Sequence, residues 1–155
     1  MAAREPEGPR VRVAALITVS DKIVLARHRA GRFVYHLLPG GGVAYRETLE
    51  DALTREVLEE TGLEVSIGRP LFISDTIDPE GTRHVVNITF AATVTGGSVT
   101  SSPSDRRVEA VDLIEPARLA SLDLRPPMAE HIVAALDADT PPKVQYLGSL
   151  FTRAQ

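Results

Sequence analysis

A chain of 155 residues that is 43% hydrophobic and 25% charged has the size and balance of one folded domain with its own core. It has no cysteine, which excludes disulfides, thiolate metal sites and a cysteine nucleophile and fits a cytoplasmic location. A net charge of −4 opposes non-specific binding of long nucleic acids, and no apolar run approaches the ~18 residues of a membrane span.

Residues 1–10 are polar, with acids and prolines, and do not read as a secretory signal. Residues 1–9 are expected to be a flexible lead-in to a single domain over 1–155. Residues 11–20 and 22–28 are rich in β-branched and aliphatic side chains and read as paired strands about Asp21-Lys22. Residues 33–38 form a short third strand that stops at Pro39. Gly40, Gly41 and Gly42 mark a turn with unusual backbone angles or a close backbone approach. A helix is expected from about 48 to 61, with Gly62 as its stop. Residues 64–78 read as one or two strands, 78–81 as a turn, and 82–96 as a long strand. Residues 97–105 read as a flexible polar loop and 107–114 as a last strand. "EPARLASL" suggests one or two helical turns, 128–138 a second helix, and "VQYLGSLF" an extended tail that packs back. Without repeats or linkers, this order gives a mixed or mostly antiparallel sheet with helices on both faces, an α/β sandwich.

The first helix changes character along its length. Leu49, Ala52 and Leu53 form one stripe, and Glu56 and Glu60 continue it. Glu59 shares that side, while Val57 and Leu58 carry apolar surface to another sector. Like charges three and four apart weaken a helix, and acids toward its C-terminal half oppose the dipole. A solvated acidic face and a site for Mg²⁺ or Mn²⁺ both remain open on wheel geometry, with the two penalties favouring the cation.

Gly41 is followed by five residues and Glu47, then by seven residues and Arg55-Glu56-Val57, Leu58, Glu59-Glu60, Thr61, Gly62 and Leu63. This spacing resembles the Nudix box, G-x5-E-x7-R-E-U-x-E-E-x-G-U with U aliphatic, at every fixed position. The preceding "LLPGG" and the strand order are also similar to that family. The resemblance implies a Nudix-type α/β/α sandwich with a mixed, mostly antiparallel sheet. It implies Mg²⁺-dependent hydrolysis of the diphosphate linkage of a small-molecule nucleoside diphosphate derivative, with Mn²⁺ as a substitute. By that resemblance Glu56, Glu59 and Glu60 are metal ligands, the Gly40 carbonyl completes the site, and Glu47 and Arg55 are a supporting pair. The general base is left among Glu56, Glu59 and an acid outside the box. Asp105 is preferred over Glu109 there, because it lies in the loop at the mouth of the last strand. A solvated loop acid beside Arg106 and Arg107 is the competing reading.

Substrate contacts are expected from Arg27 at the end of the second strand, from Gly41 and Gly42, and from Tyr35 and His36. His36 stands where relatives often carry tryptophan, and a partly buried histidine is the plainer reading. Phe33, Tyr35 and Phe90 offer a base-stacking wall or simply core. Pro79 stands where relatives that cleave ADP-ribose carry a proline, although any turn would accept it. ADP-ribose or a nucleotide sugar is therefore the first expectation. A (deoxy)nucleoside triphosphate pyrophosphohydrolase is the alternative, and a non-catalytic nucleotide-sensing module follows. The resemblance also admits a homodimer built on the N-terminal segment or the tail.

Overall fold

The computed structural model describes residues 8–100, 102–139 and 143–151. The expected lead-in lies outside the described residues as far as residue 7. The elements run β1 (Arg10–Leu16), β2 (Thr18–Val19), β3 (Lys22–Ala30), β4 (Phe33–Leu37), β5 (Gly40–Gly42), α1 (Leu49–Thr61), β6 (Leu63–Ile77), β7 (His84–Gly97), β8 (Ala110–Ile114), a 3-10 segment (Pro116–Ser121), α2 (Ala129–Asp137) and β9 (Gln145–Ser149).

Two sheets result. The larger has the order β5-β1-β7-β6-β9. In it β1 pairs parallel to β7 and antiparallel to β5, and β6 pairs antiparallel to β7 and parallel to β9. In the smaller, β2, β4 and β8 each pair antiparallel to β3.

The uninterrupted apolar run of β1 is explained by burial on both faces. Val13, Ala15 and Ile17 pack with Ala52, Leu53 and Val57 of α1. Ala14 and Leu16 face the other way and pack in a second core with Ile132 of α2 and Leu119 of the 3-10 segment. In β3, Val24 joins the first core and Ile23 and Leu25 the second. This alternation between two cores makes the α/β/α sandwich. Among the described residues no helix is long and apolar enough to cross a membrane.

Several expectations need local correction. The 11–20 strand breaks at Ile17, and the hairpin turn is Ser20-Asp21, both at positive φ, with Lys22 already in β3. Gly40–Gly42 is an edge strand rather than a turn, although the close backbone approach is real. A Cβ on Gly40 would fall 2.0 Å from the Val13 carbonyl oxygen. Leu58 is half exposed, so only Val57 extends the apolar surface of α1 inward. The loop expected over 97–105 is tied to α1 at Thr100 and Ser104. The Thr100 and Ser104 N–H groups donate to the Thr61 and Glu59 carbonyls at 2.8 and 3.0 Å. The loop thereby satisfies backbone acceptors that the end of α1 leaves open.

Candidate active site

Helix α1 starts where the Thr48 hydroxyl accepts from the Asp51 N–H at 3.1 Å and stops at Gly62, whose φ of +79° suits glycine. Between these caps the helix lies against β5. Glu56 and Glu60 are 6% and 3% exposed, so the bland reading of a solvated face fails for both. Their burial depends on the glycine strand. A Cβ on Gly41 would lie 2.3 Å from the Glu56 carboxyl carbon, so any other residue there would force that carboxylate to shift.

The loop tied to the end of α1 delivers the third acid. Oxygens of Glu56, Glu60 and Asp105 lie within 4.8 Å of one another. The side chain of Glu59 stays 43% exposed, and it is not in this trio. Asp105 takes two hydrogen bonds from the Arg107 guanidinium, at 3.1 and 2.8 Å, and one from its N–H at 2.9 Å. These hold its pKa below the ordinary value. Glu60 moves the other way, pushed up to about 8, first by burial and further by the Glu56 and Asp105 charges. The Arg12 charge and the Gly40 N–H oppose that rise without cancelling it.

Arg55 fastens the other side. Its Nε and Nη2 donate to the two Glu47 oxygens at 2.8 and 3.0 Å, and Nη1 donates to Glu56 Oε1 at 2.9 Å. Glu59 Oε2 is 3.6 Å from the same Nη1. Glu47 also accepts from the Ala44 N–H at 2.9 Å, and its pKa falls to about 2, chiefly through Arg55. The supporting pair is thus a clamp on the carboxylates as well as on the helix start.

The donor set suits a hard divalent cation. Oε2 of Glu56 and Oε2 of Glu60 are buried without a hydrogen-bond partner. Buried carboxylate oxygens carry a large desolvation cost unless something compensates them. Three carboxylates converging on one point, two with unsatisfied oxygens, provide what such an ion takes.

Beside the trio opens a cavity of about 450 Å³, to which Glu60 and Gly40–Gly42 contribute lining. Its remaining wall is mixed: Arg10, Arg12, Arg83, Arg107 and Arg125 line it together with apolar residues such as Leu37, Val85 and Pro126. Tyr35 lines it too, with the Arg125 guanidinium 4.2 Å above its ring and His28 stacked against it at 5.3 Å. Burial first, and then the Arg12 charge, lower the His28 pKa from its ordinary value.

Of the nominated substrate contacts, Tyr35, Gly41 and Gly42 line the cavity, while Arg27 and His36 do not. Arg27 lies 3.2 Å from Glu109 and 3.5 Å from Asp112. His36 is buried, with Nε2 2.8 Å from Asp112 Oδ2. The register of β3 between β4 and β8 places both side chains beside those acids. Phe90 is core, Phe33 sits under Arg32, and Glu109 also holds Arg29. Sequence reasoning missed the five cavity arginines. One signal was present: Arg10 and Arg12 occupy alternate positions at the head of an otherwise inward-facing strand, where a surface role is the exception.

Three converging acids beside a cleft that presents five arginines have the charge pattern suited to a cation and a polyanion. The family profile described as NUDIX domain matches residues 8–135. An ADP-ribose pyrophosphatase of Methanocaldococcus jannaschii is 34% identical over 113 residues, 72% of this chain and 67% of that protein. The NAD-capped RNA hydrolase NudC of Salmonella heidelberg is 39% identical over 64 residues, 40% of this chain but only 25% of its own length. Among solved structures, an ADP-ribose pyrophosphatase from Streptococcus suis superposes with a TM-score of 0.66 at 23% identity, covering 94% of this chain and all of that one. The chain belongs to the NUDIX family, and its class of activity is hydrolysis of diphosphate bonds.

Proposed function

We propose that the protein is a Mg²⁺-dependent pyrophosphohydrolase of a nucleoside diphosphate derivative, ADP-ribose or a nucleotide sugar, with Mn²⁺ as a working substitute. The observation that carries this reading is the junction of three converging carboxylates with a cleft lined by arginine. The identity to the ADP-ribose pyrophosphatase of Methanocaldococcus jannaschii supports the substrate class.

Glu56, Glu60 and Asp105 would hold the cation, with Glu59 and the Gly40 carbonyl as further candidate oxygen donors. When bound, the cation neutralises phosphate charge and makes water a better nucleophile. The chain supplies the rest. Arg12 and Arg107 orient the diphosphate beside the acids, and guanidinium forks match phosphate oxygens. Tyr35, backed by Arg125, gives the nucleoside a flat apolar wall. Arg55 and Glu47 keep Glu56 in place. Glu59, held only loosely and open to solvent, accepts the proton of the attacking water. Water adds to one phosphorus, the bridging P–O bond breaks, and a nucleoside monophosphate leaves with a phosphorylated partner.

The test is a hydrolysis panel with Mg²⁺ or Mn²⁺, in which ADP-ribose, nucleotide sugars, dinucleoside polyphosphates and nucleoside triphosphates are compared. ADP-ribose or a nucleotide sugar should give the highest kcat/KM. Glu59→Gln should lower kcat by about 10²–10⁴ with a smaller loss of cation binding than Glu60→Gln, which removes one of the three converging carboxylates. Best turnover of a nucleoside triphosphate, or no turnover from folded protein, would overturn the assignment.

A further inference from the structure

Of the 17 lysine and arginine residues only Lys22 and Lys143 are lysine, and five of the arginines line the one cavity beside the acids. Two of the five have carboxylate partners, Arg107 on Asp105 and Arg125 on Asp123. Among the described residues no carboxylate stands within 4.0 Å of Arg10, Arg12 or Arg83.

Their arrangement is ordered. Strands β1 and β7 run parallel, with Arg10 opposite Val85 and Arg12 opposite Asn87. Alternate residues of a strand share a face, so Arg10 and Arg12 form one row and Val85 and Asn87 the next. All four line the cavity, and Arg83 extends the second row just before the first residue of β7, His84. Arg12 lies at the acid end, where its Nη2 donates to the Leu38 carbonyl at 2.9 Å and the Glu60 charge attracts it. Arg10 reaches over Gly42, where an added Cβ would be 3.2 Å from its Nη2. Arg83 marks the end of the row.

Arg10 and Arg83 are both exposed and have no carboxylate partner among the described residues, so their like charges on one wall repel. The Arg83 charge reinforces the burial that depresses the Arg12 pKa. A diphosphate diester has one ionised oxygen per phosphorus, and Arg12 and Arg107 beside the acids can serve both. Arg10 and Arg83 are then surplus to a neutral sugar.

We propose that Arg10 and Arg83 form a subsite for an anionic group, a phosphate monoester or a carboxylate, carried by the substrate beyond its scissile diphosphate. This rests on the nucleoside diphosphate reading above and narrows its substrate class. Neutral nucleotide sugars fill the cavity without using this end of it.

Matched pairs test the inference: UDP-glucose against UDP-glucuronate for a carboxylate, and ADP-ribose against ADP-ribose phosphorylated on its terminal ribose for a phosphate. Each pair is measured for kcat/KM with Mg²⁺ and, separately, for equilibrium binding without divalent cation. In at least one pair the anionic member should be favoured on the order of tenfold or more, mainly in KM and in binding. That ratio should collapse in Arg10→Gln and Arg83→Gln proteins of unaltered melting temperature, and Arg83→Lys should restore part of it. The pair that shows the gain names the anion. Equal values within both pairs, or a ratio that survives both substitutions, would overturn the subsite. Hydrolysis without preference removes the subsite alone. A binding preference without hydrolysis of any panel member keeps the subsite and removes the hydrolase reading.

Discussion

A carboxyl group buried beside two others gives up its proton reluctantly, and Glu60 shows the consequence. Its pKa of about 8 exceeds the ordinary value of 4.5 that it regains on unfolding. Below about pH 4.5 both states hold the proton, and the group contributes nothing to pH dependence. Between that point and about 8 the unfolded chain has lost the proton while the folded one retains it. Rising pH therefore destabilises the cation-free fold across that window. Glu60→Gln removes the group, so its melting temperature relative to wild type, measured in chelator, should climb from pH 5 to pH 8. A constant difference across that range would refute the buried-charge account. Glu47 has the opposite sign: its stabilising bond to Arg55 is complete above about pH 4.5 and is lost as pH falls toward 2. At this scale the box acids and Arg55 were readable from spacing. Asp105 was readable only as one of two candidates, because neither the fold of its loop nor its bonds to Arg107 have a spacing signature.

Two short elements decide whether those residues meet. Strand β5 is three glycines, and α1 lies close enough for Glu56 to occupy the space where a Gly41 side chain would stand. Gly41→Ala should therefore leave far-ultraviolet circular dichroism nearly unchanged and cost about 1–3 kcal/mol in stability through overpacking. It should also reduce cation-dependent kcat/KM by tenfold or more, since about 1.4 kcal/mol of misplacement corresponds to that factor. A rate within twofold of wild type would mean that Glu56 shifts aside freely. The 97–105 loop is the second such element. Its Ser104 hydroxyl and N–H both reach the Glu59 carbonyl, at 2.9 and 3.0 Å, which anchors the approach to Asp105. Polar composition marked this stretch as loop, but composition does not encode which helix end it closes. The glycine run, by contrast, was legible as a close approach, because small residues in series have few other uses.

Cation binding at the proposed site would be linked to the folding of the whole molecule. A ligand that binds only the folded chain stabilises it by about 2.7 kcal/mol when present at 100 times its Kd. For a domain of this size that is a rise of roughly 5–10 °C in Tm. Mg²⁺ or Mn²⁺ should produce such a rise in wild type and little or none in Glu56→Gln, Glu60→Gln or Asp105→Asn, as thermal melting would show. An equal rise in all four proteins would place the cation elsewhere. The same scale accounts for the contrast between a chain of net charge −4 and a cleft walled by arginine. Net charge sums over the surface, whereas a ligand meets only the local field.

By itself the sequence determined most of the elements, the sandwich class and the spacing of the acids along α1, since these follow from local periodicity and from fixed spacing along one helix. The tertiary structure alone decided which side chains share the cleft. Arg10, Arg12, Arg83, Arg107 and Arg125 are spread over more than a hundred residues of chain and meet through strand register and loop closure. The same register drew Arg27 and His36 toward Glu109 and Asp112 instead. Contacts of that kind arise from pairing between distant segments, and no local pattern of residues records which segments will pair.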